Sequence, residues 1–214
     1  MSLIDLHCHT LERSDDSGIP INEYAALAAD RGIGVVCITD HDQFWTPDEL
    51  EIAAGESGVV LIPGSEINTD AGHVLCFGMT EYVFGFHRPE KLGAAVLAAN
   101  GAAIYAHPYR RNLPPGKEPV SDEQFDLSIS TTLENPLMSW VDALEVANGR
   151  GTREQNLFSD QLALTAQMPG VGGSDSHQND DFGHVATELF GEIRNVNDLI
   201  EALKDGDMRA VEIA

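Results

Sequence analysis

Lysine is almost missing from this chain of 214 residues: there are three, Lys91, Lys117 and Lys204. Lys and Arg together number 12 against 35 Asp and Glu, a formal charge of −23. A nucleic-acid duplex or an anionic bilayer requires a basic face, so this balance excludes wrapping long nucleic acid and lying on a charged membrane. Cysteine is equally scarce. Cys8, Cys37 and Cys76 are an odd set in a long chain, which argues against a disulfide framework. No stretch approaches the roughly 20 apolar residues of a membrane helix. The start, Met-Ser-Leu-Ile-Asp-Leu-His, carries no charged leader before an apolar run, so the expected setting is a reducing cytoplasm.

What is present is apolar enough to fold. Hydrophobic residues make up 43%, far from the composition of a disordered acidic tail. The length fits one domain spanning 1–214. An acidic, lysine-poor surface suits high salt, where screening relieves self-repulsion, so a halophilic protein is expected.

Short apolar runs alternate with helical stretches along the chain. Strands are expected at Leu3–Leu6, Gly34–Thr39, Val59–Pro63, His73–Gly78, Ala102–Ala106, Ala143–Ala147 and Gly170–Gly173. Helices are expected at Ile21–Arg31, Thr46–Gly55, Arg88–Asn100, Thr152–Gln167 and Val196–Asp205. Thr46-Pro47-Asp48-Glu49 is a strong helix start, with a Thr cap, proline in the first turn and acids facing the dipole. The alternation predicts an α/β domain with a largely parallel sheet. The polar interval from Arg110 to Pro136 reads as a long loop or lid.

The polar residues gather where strands end. His7 and His9 close the first strand, and at strand spacing i and i+2 share a face while Cys8 points away. Thr39-Asp40-His41-Asp42, Gly64-Ser65-Glu66, Ala106-His107-Pro108 and Gly173-Ser174-Asp175-Ser176-His177 follow other strands. Five of the eight histidines thus fall just beyond a strand, joined by Glu66 and Asp175. In a parallel α/β domain the C-terminal strand ends meet on one face, where sites are built. Imidazoles and carboxylates converging there can hold divalent ions.

These motifs, in this order and over nearly the whole chain, resemble the polymerase-and-histidinol-phosphatase (PHP) family. The resemblance implies a distorted (β/α)7 barrel with two or three divalent metals at the C-terminal face. By position, His7, His9, Glu66 and Asp175 would hold a first metal. Glu66 would bridge to a second on His107. Asp16, with Asp15 as the fallback, would join His41 and His177 around a third. Many three-metal members add a His or Cys after a Glu-hydrophobic-x-Asn strand, but Glu145-Val146-Ala147-Asn148-Gly149-Arg150 has none. His73, after the Glu66 strand, would take that place.

An N/O donor set suits Zn²⁺, Mn²⁺ or Fe²⁺. Two such ions about 3.5–4 Å apart can share a hydroxide and polarise phosphoryl oxygens. Arg110 and Arg111 follow His107-Pro108-Tyr109 and could clamp phosphate oxygens, as could Arg150 and Arg153. Asp40 and Asn148 are expected to orient the ligands from behind. His184 is a candidate proton donor to the leaving group. Cys37 and Cys76 read as core residues. The expected reaction is hydrolysis of a phosphate ester in a small nucleotide or metabolite. An exonuclease on very short oligonucleotides is the alternative, and a non-catalytic accessory module the remaining one. Two or three divalent ions bring about +4 to +6 into this acidic chain, so the global charge is compatible with a small anionic substrate.

Overall fold

The structure, a computed structural model, describes residues 2–113 and 121–213. Among the described residues nine strands form one continuous sheet: β1 (Ser2–Cys8), β2 (Val35–Ile38), β3 (Val60–Thr69), β4 (Gly72–Phe77), β5 (Ala102–Tyr105), β6 (Ala143–Asn148), β7 (Gly170–Gly173), β8 (Val185–Leu189) and β9 (Met208–Glu212). Seven α-helices accompany them: α1 (Tyr24–Arg31), α2 (Pro47–Ala54), α3 (Pro89–Ala98), α4 (Tyr109–Asn112), α5 (Asp122–Leu133), α6 (Arg153–Ala166) and α7 (Val196–Asp205). The strand order is β7-β6-β5-β4-β3-β2-β1-β8-β9. The end strand β7 folds back against β1, β8 and β9, which nearly closes the sheet into a barrel.

The sheet is more mixed than the β-α alternation predicts. β1–β2, β2–β3, β5–β6 and β6–β7 are parallel, whereas β3–β4, β4–β5, β1–β8 and β8–β9 are antiparallel. The physical reason is plainest at one hairpin connection. β3 runs on past Pro63 to Thr69 and turns at Asp70-Ala71 straight into β4, with no room for a crossover helix. β9, short and partly exposed, ends the sheet and escapes the sequence pattern, whereas β8 is short but largely buried between β1 and β9.

The interval 110–136 also departs from the expected loop. Within its described part, α4 and α5 are helical, and Ser121 caps α5 by accepting from the Gln124 backbone N–H. Ile129 and Thr132 are the buried residues of α5, so tertiary packing overrides a run rich in Ser and Thr. Residues 114–120 of that interval lie outside the described residues.

Three apolar clusters organise the core. Ile4, Leu6, Val35, Ile62, Leu75, Phe77 and Ile104 pack with Leu199, Ile200 and Leu203, so α7 closes the barrel interior from one end. A second cluster joins β4, β5 and β6 to α3, α5 and α6, and a third joins β1, β2 and β3 to α1 and α2. The opposite end of the interior is polar, and it holds the site.

Candidate metal centre

Two irregularities in the sheet aim side chains at that end. Between Asp5↔Val36 and Cys8↔Ile38, β1 uses three residues where β2 uses two. The extra residue is a bulge, which switches the inward set. Ile4 and Leu6 belong to the interior, Cys8 joins the cluster outside, and His7 is free to enter the polar end. In β6 the shift falls between Glu145 and Ala147, so both Glu145 and Asn148 reach the site. Gly173 makes the approach possible, because a Cβ there would lie 2.6 Å from His7 Cβ and 2.9 Å from Glu145 Oε1. Two of the site residues also bend the backbone into the left-handed region, His107 with φ 29° and Asp175 with φ 54°. Non-glycine residues adopt such angles at some energetic cost and cluster at functional sites.

Glu66 is the hub. Its Oε1 lies 2.8 Å from His73 Nδ1 and 2.9 Å from His107 Nε2. Its Oε2 lies 3.3 Å from both His7 Nε2 and His9 Nε2, and 3.1 Å from His41 Nδ1. Asp175 Oδ1 completes the inner group at 3.4 Å from His7 Nε2 and from His9 Nε2. On the outer side Asp16 Oδ2 lies 3.1 Å from His177 Nε2 and 3.6 Å from His41 Nε2. Nine residues expected from the sequence are thus brought together: His7, His9, Asp16, His41, Glu66, His73, His107, Asp175 and His177. Asp16, rather than Asp15, is the acid that reaches the rings.

The donor set fits divalent cations. His7 Nε2, His9 Nε2, His41 Nδ1, Glu66 Oε2 and Asp175 Oδ1 are buried and have no hydrogen-bond partner. Each unpaired buried polar atom costs about 1–3 kcal/mol. Five together would cost on the order of 10 kcal/mol, comparable with the whole stability of a domain. A shared ion removes that cost. Donors held about 2.1 Å from one tetrahedral ion lie about 3.4 Å apart, which matches the 3.3–3.4 Å separations of the inner group. Three further trios converge, His9–His41–His177, His41–Glu66–His73 and His7–His107–Glu145. No cysteine takes part, so the donors are imidazoles and carboxylates, a set for divalent ions.

The charges of the donors divide the rings, with His7 and His9 raised beside the carboxylates and three others lowered. Burial opposes ionisation of Glu66 and Asp175, but the His7 ring and its neighbours outweigh it and hold both acids well below the carboxylate range. His7 itself is held well above the imidazole range, since Asp175, Glu145 and Glu66 overcome its burial. His41, His107 and His177 are pushed down, chiefly by burial. They are therefore neutral at pH 7, the form that binds metals.

Behind the donors lies a layer that the sequence revealed only in part. Glu145 enters the sequence pattern only as part of a strand motif, yet its Oε1 lies 2.9 Å from His7 Nδ1 and its Oε2 accepts the His107 backbone N–H at 2.7 Å. The one available signal was an acid alone inside an apolar strand. Asn148 meets carboxylates rather than a ring, its NH₂ donating to Glu145 Oε2 at 3.1 Å and Asp175 Oδ2 at 3.3 Å. Asp40 works by a different route from the adjacent ring. It accepts from Thr10, Ser14 Oγ and Trp45 Nε1, and Ser14 Oγ in turn lies 3.3 Å from His9 Nδ1. The His41 backbone, not its ring, meets the same serine, while the ring turns its Nδ1 toward Glu66 Oε2.

The arginines divide. Arg110 hydrogen-bonds Asp175 Oδ2 and lies 3.1 Å from His107 Nε2, and Arg150 lies 2.9 Å from His177 Nδ1. Arg111 instead donates to the Thr69 and Asp70 carbonyls at 3.0 Å each, steadying the β3–β4 turn. His184 is not brought to the cluster. Its ring is exposed, sits 2.8 Å from the Asp180 carbonyl and lines a separate groove with Arg153 and Asp160.

A nearly closed α/β barrel whose strand ends carry a bridging glutamate among histidines defines the class: a barrel with a centre built for divalent cations. Residues 5–112 match the PHP domain and residues 153–208 the PHP-associated region, and the chain belongs to the PHP domain family. It is similar to an uncharacterized protein of Methanocaldococcus jannaschii, 31% identical over 135 residues, covering 58% of this chain and 76% of that one. A 5'-3' exoribonuclease of Haemophilus influenzae is 41% identical over 66 residues, 31% of this chain but only 23% of the exoribonuclease. Among solved structures, a Bacteroides vulgatus two-domain protein containing a predicted PHP-like metal-dependent phosphoesterase aligns with TM-score 0.70 at 18% identity. That alignment covers 99% of this chain and 65% of the two-domain protein.

Proposed function

We propose that this chain hydrolyses a phosphate ester of a small phosphorylated molecule, a nucleotide or a metabolite. The observation behind this reading is one carboxylate, Glu66, shared between two histidine groups, with the guanidiniums of Arg110 and Arg150 on the cluster's flank. His7, His9, Glu66 and Asp175 would hold one ion, Glu66, His73 and His107 a second, and Asp16, His41 and His177 a third. Two or three of Zn²⁺, Mn²⁺ or Fe²⁺ suit these donors. Bound there, such ions polarise phosphoryl oxygens and activate water at neutral pH.

The protein's own part is placement. A proton on His7 Nδ1 donated to Glu145 Oε1 leaves the Nε2 lone pair directed into the centre. Asn148 ties Glu145 to Asp175, so the two acids hold their positions together. Arg110 and Arg150 can grip non-bridging oxygens through fixed pairs of N–H groups, which orients the ester for in-line attack. Neither requires a basic surface beyond the pocket.

The similarity to an exoribonuclease segment favours a second reading, cleavage of very short oligonucleotides. A charge of −23 speaks against any long strand. The test is elemental analysis for bound metal, then phosphate release from p-nitrophenyl phosphate, nucleoside monophosphates and short oligonucleotides with added Mn²⁺. Metal bound and monophosphates hydrolysed is the expected result. Oligonucleotide cleavage without action on monophosphates would favour the nuclease, and neither metal nor hydrolysis would leave an accessory module.

A further inference from the structure

Four donors converge on the buried carboxylate of Asp40. Its Oδ1 accepts the Thr10 backbone N–H and the Ser14 hydroxyl, both at 2.6 Å. Its Oδ2 accepts the Thr10 hydroxyl and the Trp45 indole N–H, both at 2.7 Å. Hydrogen bonds to a charged acceptor are short and roughly twice as strong as neutral ones. Thr10 and Ser14 follow β1 in the same segment as His9. Trp45 comes from elsewhere: it directly precedes Thr46, the cap of α2.

These partners fix the order of donors and acceptors. An indole N–H only donates, and a carboxylate only accepts. The single Ser14 proton is therefore spent on Asp40, and the Ser14 oxygen is left to accept. It meets the His41 backbone N–H at 3.4 Å and His9 Nδ1 at 3.3 Å. A His9 Nδ1 that donates to Ser14 carries the ring proton, which leaves the lone pair on Nε2. That atom faces Glu66 Oε2 at 3.3 Å and Asp175 Oδ1 at 3.4 Å. Trp45 is itself held in place. Arg13 stacks 3.9 Å over its ring, and the Arg13 guanidinium is fixed by Glu49 Oε1 at 2.7 Å and by the Phe44 carbonyl.

From this chain of contacts we infer that Trp45 is a positioning residue of the metal centre: acting through Asp40 and Ser14, its indole N–H keeps the His9 ring turned with the Nε2 lone pair into the inner group. The inference rests on the reading of the cluster as a metal centre, and not on the ester proposed as its substrate. A carboxylate is planar and rigid, so its two oxygens turn together. A donor that pins Oδ2 therefore also sets where Oδ1 meets Ser14. Trp45 thus ties the start of α2 to a ligand sealed inside the barrel, through three hydrogen bonds in series.

The experiment is a double-mutant cycle on the tightest Zn²⁺ site, read by competition with a chromophoric chelator and with no substrate present. Ser14→Ala should weaken binding about 10- to 100-fold, as loss of a partner behind a ligating imidazole does. Trp45→Phe keeps a ring under Arg13 but has no N–H, and should weaken binding about three- to tenfold. Added to Ser14→Ala, it should cost less than about twofold more, because the path to His9 is already cut. A role in packing alone would give the same Trp45→Phe loss in both backgrounds. Thermal melts establish that each variant is folded. Nitrogen-edited NMR of the Zn²⁺-loaded wild type supplies a second readout, with the His9 ring proton expected on Nδ1. A ring proton on Nε2, an affinity that Trp45→Phe does not move, or losses that add overturn the positioning role and leave the metal centre standing. Wild-type protein that binds no Zn²⁺ overturns the metal-centre reading, and this inference with it.

Discussion

The side chains of His7, His9, Glu66 and Asp175 are sealed from solvent, whereas His41 is 27% exposed and Asp16 55%. In the inner group His7 and Glu66 stand on β1 and β3, His9 and Asp175 follow β1 and β7 directly, and Glu145, Asn148 and Ser14 hold the group from behind. The outer group hangs on the turn after β2 and the segments after β1 and β7, with Asp16 Oδ2 against the His41 and His177 rings. Burial makes the inner donors expensive to leave empty and fixed in place. Exposure makes the outer ones cheap, adjustable and open to exchange. The inner half is therefore the permanent part of the centre, and the outer half the part that can be tuned.

The heaviest blow to that contrast is His7→Ala together with Asp175→Ala. It should abolish inner metal by elemental analysis and lower phosphate release by roughly a thousandfold or more, since the ions supply several kcal/mol of the chemistry. Retained turnover would move the permanent half elsewhere. Next is Glu145→Gln, which keeps the shape but loses the charge behind His7. Metal affinity by calorimetry should fall about 10- to 100-fold. Asp16→Ala, in the outer half, should cost roughly tenfold or less, because an exposed carboxylate acts through screened charge. An Asp16 effect larger than that of Glu145 would invert the comparison.

Acid and base sharpen it further in chelated protein. His7 is raised, so its contribution to stability is whole below the free-imidazole pKa near 6.5 and fades as pH rises through the elevated folded value. Glu66 and Asp175 are depressed, so theirs is whole above about pH 4 and fades as pH falls through the folded values. Metal-free melts should accordingly peak in the weakly acidic range and decline toward pH 9. Added metal should flatten the alkaline decline, since it requires neutral rings. The smallest effect concerns the surface as a whole: transfer from molar to dilute salt should lower Tm by a few degrees if self-repulsion of the 35 acids is screened in brine. An unchanged Tm would remove salt adaptation from the account.

The strand ends were readable because His-x-His and Asp-Ser-His put donors at i and i+2, a spacing that survives a bulge or a change of strand direction. Helix α2 was readable from its start, where Thr46 caps the first turn as its sequence implies and Glu49 reaches back to close a capping box. Glu145 was harder to see, since a lone acid in a strand gains meaning only when β6 and β1 are brought together, 138 residues apart. The antiparallel pairs and α5 were hidden for a related reason. Direction in a sheet and helix formation in a Ser/Thr-rich stretch are decided by partners rather than by local pattern. His184 misled because nearness in sequence to Asp175 and His177 is not nearness in space.

The neighbour relation of β1, β7 and β8 also bears on how the protein is born. Asp175 donates its backbone N–H to the His7 carbonyl, joining the opening strand to one made more than 160 residues later. A ribosome adds about 5–20 residues each second, so His7 waits on the order of ten seconds or longer for its partner. During that interval the His-x-His pair is an exposed, half-finished chelator. Ion capture in the finished arrangement thus belongs to the completed polypeptide, and a nascent or truncated chain would be distinguishable by its failure to retain the ion.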